Sequence, residues 1–532
     1  MEGVTFGYAY HMPSGGCMMR IRNVLSQFSD VFSEFNRYLA PAYHHDRCER
    51  SVPMRLYSMH KRELVMVFLA FFACLGLVIF IGLTGPPITS TVSELGTDLL
   101  HKQNISLDAI TTGPFVLQSP PVTPYSQQMW LIMTLKTEDT DDESYDVGFH
   151  YRVSITGVKQ DHQDIGILNA YHHNRSRHLV CTRDACQEVM LLHLASLQYA
   201  RYLVTVRLYN LDGFQKRYHI NQITFHFKHY NPAFTQIEIW FRFIFLLGTA
   251  VITFWFTHTL RRYTIQDWSF EQKWMSILLP MLFLHDNPTF PMIFLCNSWM
   301  PGMLDVLFQT TFLSTLLLFW LCMYHGLRQN ERKLLIFYVP KVLLTVGPLW
   351  FMAMVLGTWQ HLTQVEDPTF SYKVDTEDYH ILKVSCSFFL VVYLTYLVYL
   401  ILRAYTDLRS MPFFDARLKF LTLLMCIVLG LSSSLFLVNY GIGSLEQVFI
   451  SQLNTTYTSS APFMTCYGLL NFYLYTMAYV YSPTQKNVFD NSITKDNPAF
   501  SMINDSDEEV VFGSDEESRR PLNRSNNDDD SD

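Results

Sequence analysis

The sequence predicts an α-helical multi-pass membrane protein with one N-terminal anchor helix, a seven-helix bundle and an extracytosolic β-sandwich domain. Three observations carry this. Of 532 residues, 49% are hydrophobic and only 16% charged, whereas soluble globular chains are nearer one quarter charged. The apolar residues gather into windows of about 20 with almost no charge, the length that crosses roughly 30 Å of hydrocarbon. Between the first window and the others lies a polar stretch in which apolar residues alternate with period two, as in half-buried strands. This layout excludes a soluble multidomain enzyme. It also gives no support to a nucleic-acid partner. The net charge is −8, and residues 485–532 alone hold 13 acidic and 5 basic residues, so 34 of each sign remain in a neutral body.

Residues 1–62 read as a cytosolic N-terminal region. Within it Ile21, Val24, Leu25, Phe28, Phe32, Phe35 and Leu39 keep helical spacing, an amphipathic helix suited to a membrane surface or to the flank of the bundle. Residues 63–84 form the first transmembrane helix. Its apolar run Leu64–Leu83 follows Lys61-Arg62 and ends at Gly85-Pro86-Pro87; it is too long and too far from the N-terminus for a cleaved signal, and reads as a signal anchor.

Residues 85–236 read as the outer domain. Val147, Phe149, Tyr151, Val153 and Ile155 fall on one strand face, and Val204, Val206 and Leu208, then Ile223, Phe225 and Phe227, repeat the pattern. Residues 86–124, rich in Pro, Ser and Thr, are expected to form a tether or an irregular edge. Cys181 and Cys186 are close enough in sequence to close a small loop in an oxidising compartment. The domain holds many histidines, including His172, His173, His178, His193, His226 and His229. They suggest either a pH sensor or an ordinary polar strand face. No spacing of Cys and His resembles a zinc site, and no motif implies a cofactor or a catalytic nucleophile.

Residues 237–483 read as the bundle, with apolar segments at 239–259, 275–296, 302–325, 334–358, 381–402, 418–438 and 463–482. Eight spans place both termini on one side. The loops at 260–274, 326–333 and 403–419 carry ten Lys or Arg, against one, Lys373, in the opposite loops. Positive charge marks the cytosolic side, so both termini are expected in the cytosol and the sequons at Asn104, Asn174 and Asn454 on the glycosylated side. Ionisable groups inside spans point to function, because hydrocarbon penalises them unless they pair or meet water. His285-Asp286-Asn287 between Pro280 and Pro288 suggests a broken helix, and Asp286, Asp305 and Gln309 are candidates to line one polar pocket, with Asn471 on a facing helix. The alternative is that 286–291 is a plain loop and Asp305 is interfacial. Lys341 is expected to snorkel towards the cytosolic interface. Tyr393, Tyr396 and Tyr399 read as packing and interfacial residues.

Residues 484–532 are too polar and acidic to fold alone. Asn497-Pro498-Ala499-Phe500 resembles an aromatic sorting signal, with Phe in place of Tyr. Ser506 and Ser514, each followed by Asp-Glu-Glu, resemble acidophilic kinase sites where phosphate would deepen an acidic cluster.

Several stretches together carry a family resemblance: Pro53-Met-Arg-Leu-Tyr57, Tyr230-Asn-Pro-Ala-Phe234, Glu238-Ile-Trp-Phe-Arg242, Gln272-Lys-Trp-Met-Ser276, Pro301-Gly-Met-Leu-Asp305 and Tyr467-Gly-Leu-Leu-Asn-Phe-Tyr473. With this layout the chain resembles the Wntless-like membrane proteins. That resemblance implies a GOLD-like outer domain and a receptor-like bundle with a cavity. It implies a non-enzymatic receptor or cargo escort of the secretory pathway and cell surface, at the plasma membrane and/or Golgi-endosomal membranes. The expected partners are membrane lipid, an extracellular or lumenal protein or lipidated ligand, and trafficking adaptors at the acidic tail. Proteins like this one are also linked to host-cell uptake of a bacterial toxin. The alternative is an orphan signalling receptor coupled to G proteins, although the Asp-Arg-Tyr and Asn-Pro-x-x-Tyr switches of rhodopsin-like receptors are missing.

Overall fold

The computed structural model describes residues 52–138, 144–158, 164–166, 174–182, 185–295, 299–327, 334–370, 380–408, 412–440 and 459–484. The amphipathic segment at 21–39, the sequon at Asn454 and the tail positions Asn497, Pro498, Phe500, Ser506 and Ser514 lie outside the described residues.

Helix α1 (Lys61–Thr84) leads into the outer domain, which contains β1 (Thr89–Leu95), α2 (Gly96–Lys102), β2 (Phe115–Gln118), β3 (Met129–Thr137), β4 (Ser144–Val158), β5 (Asp164–Gly166), β6 (Asn174–Thr182), β7 (Ala185–Cys186), β8 (Val189–Leu194), β9 (Arg201–Tyr209), α3 (Asp212–Tyr218) and β10 (Ile220–Tyr230). All pairing is antiparallel, in the order β1-β10-β3-β7-β6-β4-β9-β2, with β5 beside β4 and β8 beside β3. The short β7 carries the ladder over from β3 to β6, and the two halves face each other across one core. Phe225 and Leu131 from one half meet Tyr151, Val153 and Val206 from the other, and the Phe115 and Phe225 rings lie 5.0 Å apart. The period-two alternation is therefore the record of a half-buried sheet. Cys181 and Cys186 form a disulfide at the β6–β7 turn.

Of the two expectations for residues 86–124, a tether or an irregular edge, the edge is what forms: they supply both terminal strands of the ladder, β1 and β2. Their Thr, Ser and Pro content suits edge strands, which need fewer large side chains and tolerate Pro nearby.

The bundle follows as α4 (Pro232–Leu260), α5 (Phe270–His285), α6 (Met300–Gly326), a broken segment ending in α7 (Gly347–Glu366), α8 (His380–Leu408), α9 (Pro412–Tyr440) and α10 (Ala461–Tyr481). Among the described residues, six helices are long and apolar enough to cross a membrane: Lys61–Thr84, Pro232–Leu260, Met300–Gly326, Val339–Glu366, Val384–Asp407 and Arg417–Ser434. The other two expected spans, α5 and α10, fall short of that measure. α5 has only 16 residues, and α10 is interrupted by Asn471 and several tyrosines, yet both contribute to the apolar core of the bundle. On α4 the exposed large side chains, Trp240, Phe243, Ile244, Leu247, Val251 and Phe254, form one stripe at helical spacing, the surface a lipid-facing helix presents.

The segment expected as one span at 334–358 is broken. A helical turn, Leu334–Phe337, is followed by Val339–Lys341, a wide π-turn at Val342–Val346 and only then α7. Pro340 has no N–H to continue the helix, and Gly347-Pro348 repeats the interruption. Lys341 does not snorkel. It is 1% exposed, its ammonium donates to the Phe337 carbonyl, and it sits over the Phe337 ring. The carbonyl at the helix break is a nearer acceptor than the aqueous interface.

Helix α1 is fastened along α10. Ser460 Oγ donates to the Gly82 carbonyl at 2.8 Å, and a Cβ added at Gly82 would come within 2.6 Å of Ala461 Cα. Gly82→Ala is therefore expected to cost about 1–3 kcal/mol, read as a lower thermal unfolding midpoint. Gly76→Ala is the neutral control, since a Cβ there meets nothing within 4 Å. At the other end, Arg55 N donates to Ser482 O and Val52 N to Asp267 O. The start of α1, the end of α10 and the α4–α5 loop thus share one end of the bundle, the end that carries Arg261, Arg262 and Lys273.

Candidate functional site

The site begins where α5 stops. Asp286 is the last residue near helical geometry, and Asn287 follows with φ 55°, the left-handed conformation that asparagine tolerates at helix ends. The Asn287 side chain then accepts from Thr289 N and Thr289 Oγ1, and Pro288 prevents continuation. This early ending leaves a carboxylate, an imidazole and an amide among helices rather than in water.

Asp286 is 0% exposed. Its Oδ1 accepts from Asn471 Nδ2 of α10 at 3.0 Å, and its Oδ2 from Thr249 Oγ1 of α4 at 2.6 Å. Tyr475 of α10 joins through a 2.7 Å contact with Thr249 Oγ1. Three helices therefore meet on one carboxylate. His285 packs against Phe312 and Tyr467. Its Nδ1 lies 3.7 Å from Asp286 Oδ1 and has no hydrogen-bond partner, while the buried Tyr467 hydroxyl also faces Asp286.

Asp305 and Gln309 form a second, adjacent group instead of sharing a pocket with Asp286. Gln309 Nε2 donates to Asp305 Oδ2 at 2.9 Å and Asn287 Nδ2 to Asp305 Oδ1 at 2.7 Å. Asn287, next to Asp286 in the chain, thus ties Asp305 of α6 to the end of α5. His361 lies across the start of α6: its ring contacts the Trp299 carbonyl at 3.2 Å and closes over Gly302.

A third layer links this cluster to the outer domain. Arg242 and Glu238, one turn apart on α4, form a buried pair at 2.9 Å. The guanidinium faces the Phe290, Phe463 and Tyr467 rings, with 4.2 Å to the Phe290 centroid. Gln127, held at φ 52° in the loop before β3, donates to Glu238 Oε2 at 3.1 Å and to Thr235 Oγ1 at 3.0 Å. Polar contacts thus run from the outer domain to Arg242, and the Phe290 and Tyr467 rings lie between its guanidinium and the end of α5.

The domain is also clamped at its side. His193 N of β8 donates to Pro368 O, just past α7; Arg177 donates to Thr369 O and Arg175 to Thr369 Oγ1, and Arg175 pairs with Asp367. Burial would raise the Asp367 carboxyl, but the Thr369 hydrogen bonds and Arg175 hold it below its ordinary value. The His193 ring stacks on Trp130 and its Nε2 meets Gln128 Oε1 at 3.1 Å; burial pushes its pKa down to about 4.

Of the other residues singled out in the sequence, Asn104 has φ 56° after α2, and Asn174 begins β6, where Arg152 Nε donates to its Oδ1. His178 pairs with Asp146, and His226 sits between Ser93 and Thr134. Thr249, Tyr475, Gln127 and the Glu238–Arg242 pair were not anticipated as site residues. Only the pair had a local signal, two opposite charges four apart inside an apolar helix. Among the described residues, no group of three or more His, Cys, Asp or Glu side chains converges to hold a metal ion.

Residues 113–230 match the family model described as TMEM181, GOLD domain, and residues 231–485 match Wntless-like, transmembrane domain. The two matches meet where β10 passes into α4 through the Asn231 cap. The human protein named Transmembrane protein 181 is 44% identical over 470 residues, covering 88% of this chain and 95% of that protein. The chain is a multi-pass membrane protein of the transmembrane protein 181 family, with a GOLD domain on a Wntless-like bundle.

Proposed function

We propose that the protein is a non-enzymatic receptor or cargo escort that binds an extracellular or lumenal protein or lipidated ligand. One observation supports this most directly. The outer domain is seated on the bundle through Gln127, Glu238 and Arg242, beside the cluster at the end of α5. A ligand engaging the outer strands can therefore be read by α4 and, through the rings around Arg242, by α5 and α10. In this reading the Lys- and Arg-rich end of the bundle is cytosolic, in keeping with the positive-inside bias. Asn497, Pro498, Phe500, Ser506 and Ser514 serve adaptor recruitment between Golgi-endosomal membranes and the plasma membrane.

Proximity labelling with a ligase placed in the outer domain, and in parallel on the tail, tests this. The outer label is expected to capture a secreted or surface protein, and the tail label trafficking adaptors. Recovery of the outer partner should fall several-fold in Asp305→Asn protein that still reaches the surface. Capture no greater than with an unrelated multi-pass protein would reject the reading.

A second reading, signalling through a cytosolic transducer, has one observation in its favour. Arg417 of α9 and Glu271 of α5 form a buried pair at the Lys- and Arg-rich end, a contact that outward movement of α9 would break. Ligand-dependent nucleotide exchange separates the two, since an escort needs none.

A further inference from the structure

The cluster around Asp286 contains more oxygen than hydrogen. Thr249 Oγ1 lies 2.6 Å from Asp286 Oδ2, 3.2 Å from Asn471 Oδ1 and 2.7 Å from the Tyr475 hydroxyl. The Tyr475 hydroxyl lies in turn 3.1 Å from the Phe245 carbonyl. Each of these four oxygen–oxygen contacts needs a hydrogen to be attractive. Thr249 and Tyr475 supply one apiece. Asn471 has none to spare, because its amide hydrogens go to Asp286 Oδ1 and to Tyr467 O. Two contacts are left short of a hydrogen, beside a fully buried carboxylate.

The charge around Asp286 is short as well. A buried carboxylate without a cation is costly, and the surrounding groups do not supply one. Arg242 is engaged by Glu238 and by aromatic rings. Asp305 is another acid, satisfied by Asn287 and Gln309. His285 Nδ1 stays at 3.7 Å, beyond hydrogen-bond length, in a packing site between Phe312 and Tyr467. His285 Nδ1 is buried and unpartnered 3.7 Å from Asp286 Oδ1, and the Tyr467 hydroxyl also faces Asp286. A buried imidazole nitrogen without a partner, aimed at a carboxylate whose neighbouring oxygens are short of hydrogens, points to a further group bound there.

We propose that this cluster binds one monovalent cation, with Asp286 supplying the charge and Thr249, Asn471 and Tyr475 the neutral oxygens. An all-oxygen set selects a hard cation over a transition metal, and a single carboxylate balances a single positive charge. A sodium ion fits this chemistry: it places one positive charge among oxygens that now crowd one another. The bound cation holds α4, α5 and α10 together beneath the outer domain. The inference deepens the ligand-binding reading of this site, but its test uses ligand-free protein, so failure here removes the cation and leaves that reading standing.

Thermal unfolding of the purified full-length protein is measured at constant ionic strength, with sodium chloride replaced stepwise by choline chloride. A pH series in choline forms the second arm. Wild type is expected to unfold several degrees higher in sodium, and Asp286→Asn at one temperature in both salts. Tyr475→Phe keeps the ring, loses one oxygen, and is expected to raise the half-maximal sodium concentration about tenfold; it carries the test if Asp286→Asn does not fold. A stabilisation that follows pH but not sodium, and is lost in Asp286→Asn, reports protonation of the carboxyl alone and overturns the cation site. The proposal is overturned if neither sodium nor pH separates wild type from both variants, or if the variants keep the full wild-type response.

Discussion

Glu238→Ala is expected to cost about 3–5 kcal/mol, because it leaves the Arg242 guanidinium buried without its counter-charge. Glu238 is 2% exposed and Arg242 9%, and the pair is bidentate in effect, with Arg242 Nε and Nη2 both on Glu238 Oε1. Aromatic faces at Phe290, Phe463 and Tyr467 retain part of the guanidinium's stabilisation, which places the loss nearer the lower end of that range. The same substitution frees Gln127, whose left-handed backbone is otherwise held by its bonds to Glu238 and Thr235.

Two readouts should therefore move together: the thermal unfolding midpoint falls, and protease cleavage near residue 127 rises. A Glu238→Leu/Arg242→Met double variant removes both charges and keeps the volume, and is expected to recover most of the stability. It is not expected to restore the protection near 127, because leucine offers Gln127 no acceptor. If Glu238→Ala were no less stable than the double variant, the pair would not be the buried connector described above.

How far the sequence foretold this arrangement follows from the physics of each part. Hydrocarbon requires uninterrupted apolar runs, so α1, α4, α6 and α8 are legible at once. Period two marks β4, β9 and β10 because one face of each is buried. The carboxylate at 286 is legible for the opposite reason: His-Asp-Asn between prolines conflicts with everything around it. Its partners are not. Thr249 is one hydroxyl in a lipid-facing helix, and Tyr475 is one of several tyrosines along α10. Only the packing of α4 against α10 gives either a role. The link from Asp305 to the end of α5 was not legible, because it runs through the Asn287 side chain. Lys341 was read from its depth alone, and the break at Pro340 offers it a carbonyl that no depth argument contains.

The outer-domain histidines pose the same difficulty, since their number says nothing about which one matters. The fold separates them. His178 is exposed beside Asp146 and His226 bridges two hydroxyls, whereas His193 is 2% exposed at the junction with the bundle. Its depressed pKa arises from burial alone. The charged groups on the neighbouring elements, Arg175 and Arg177 of β6, Asp367 past α7 and Lys228 of β10, do not offset the burial. The native junction therefore holds His193 neutral, while an undocked or unfolded state takes up its proton near the ordinary value of 6.5.

The unfolded or undocked state binds the extra proton between those values, so junction stability is full above about 6.5 and falls as pH drops towards about 4. Moving from neutral pH to pH 5.5 is worth about 1 kcal/mol by this route, a several-fold change in the undocked population. Asp367, held below the usual carboxylate range, loses its contribution only at lower pH and does not mask this window. Hydrogen exchange at β8 and at residues 367–370 should accelerate several-fold at pH 5.5 in the wild type. His193→Phe keeps the stack on Trp130 and has nothing to protonate, so the same change of pH should leave its exchange nearly constant. Equal acceleration in both proteins would place the pH response elsewhere and reduce His193 to packing. A response confined to wild type would place at His193 a junction that weakens as pH falls from neutral to 5.5.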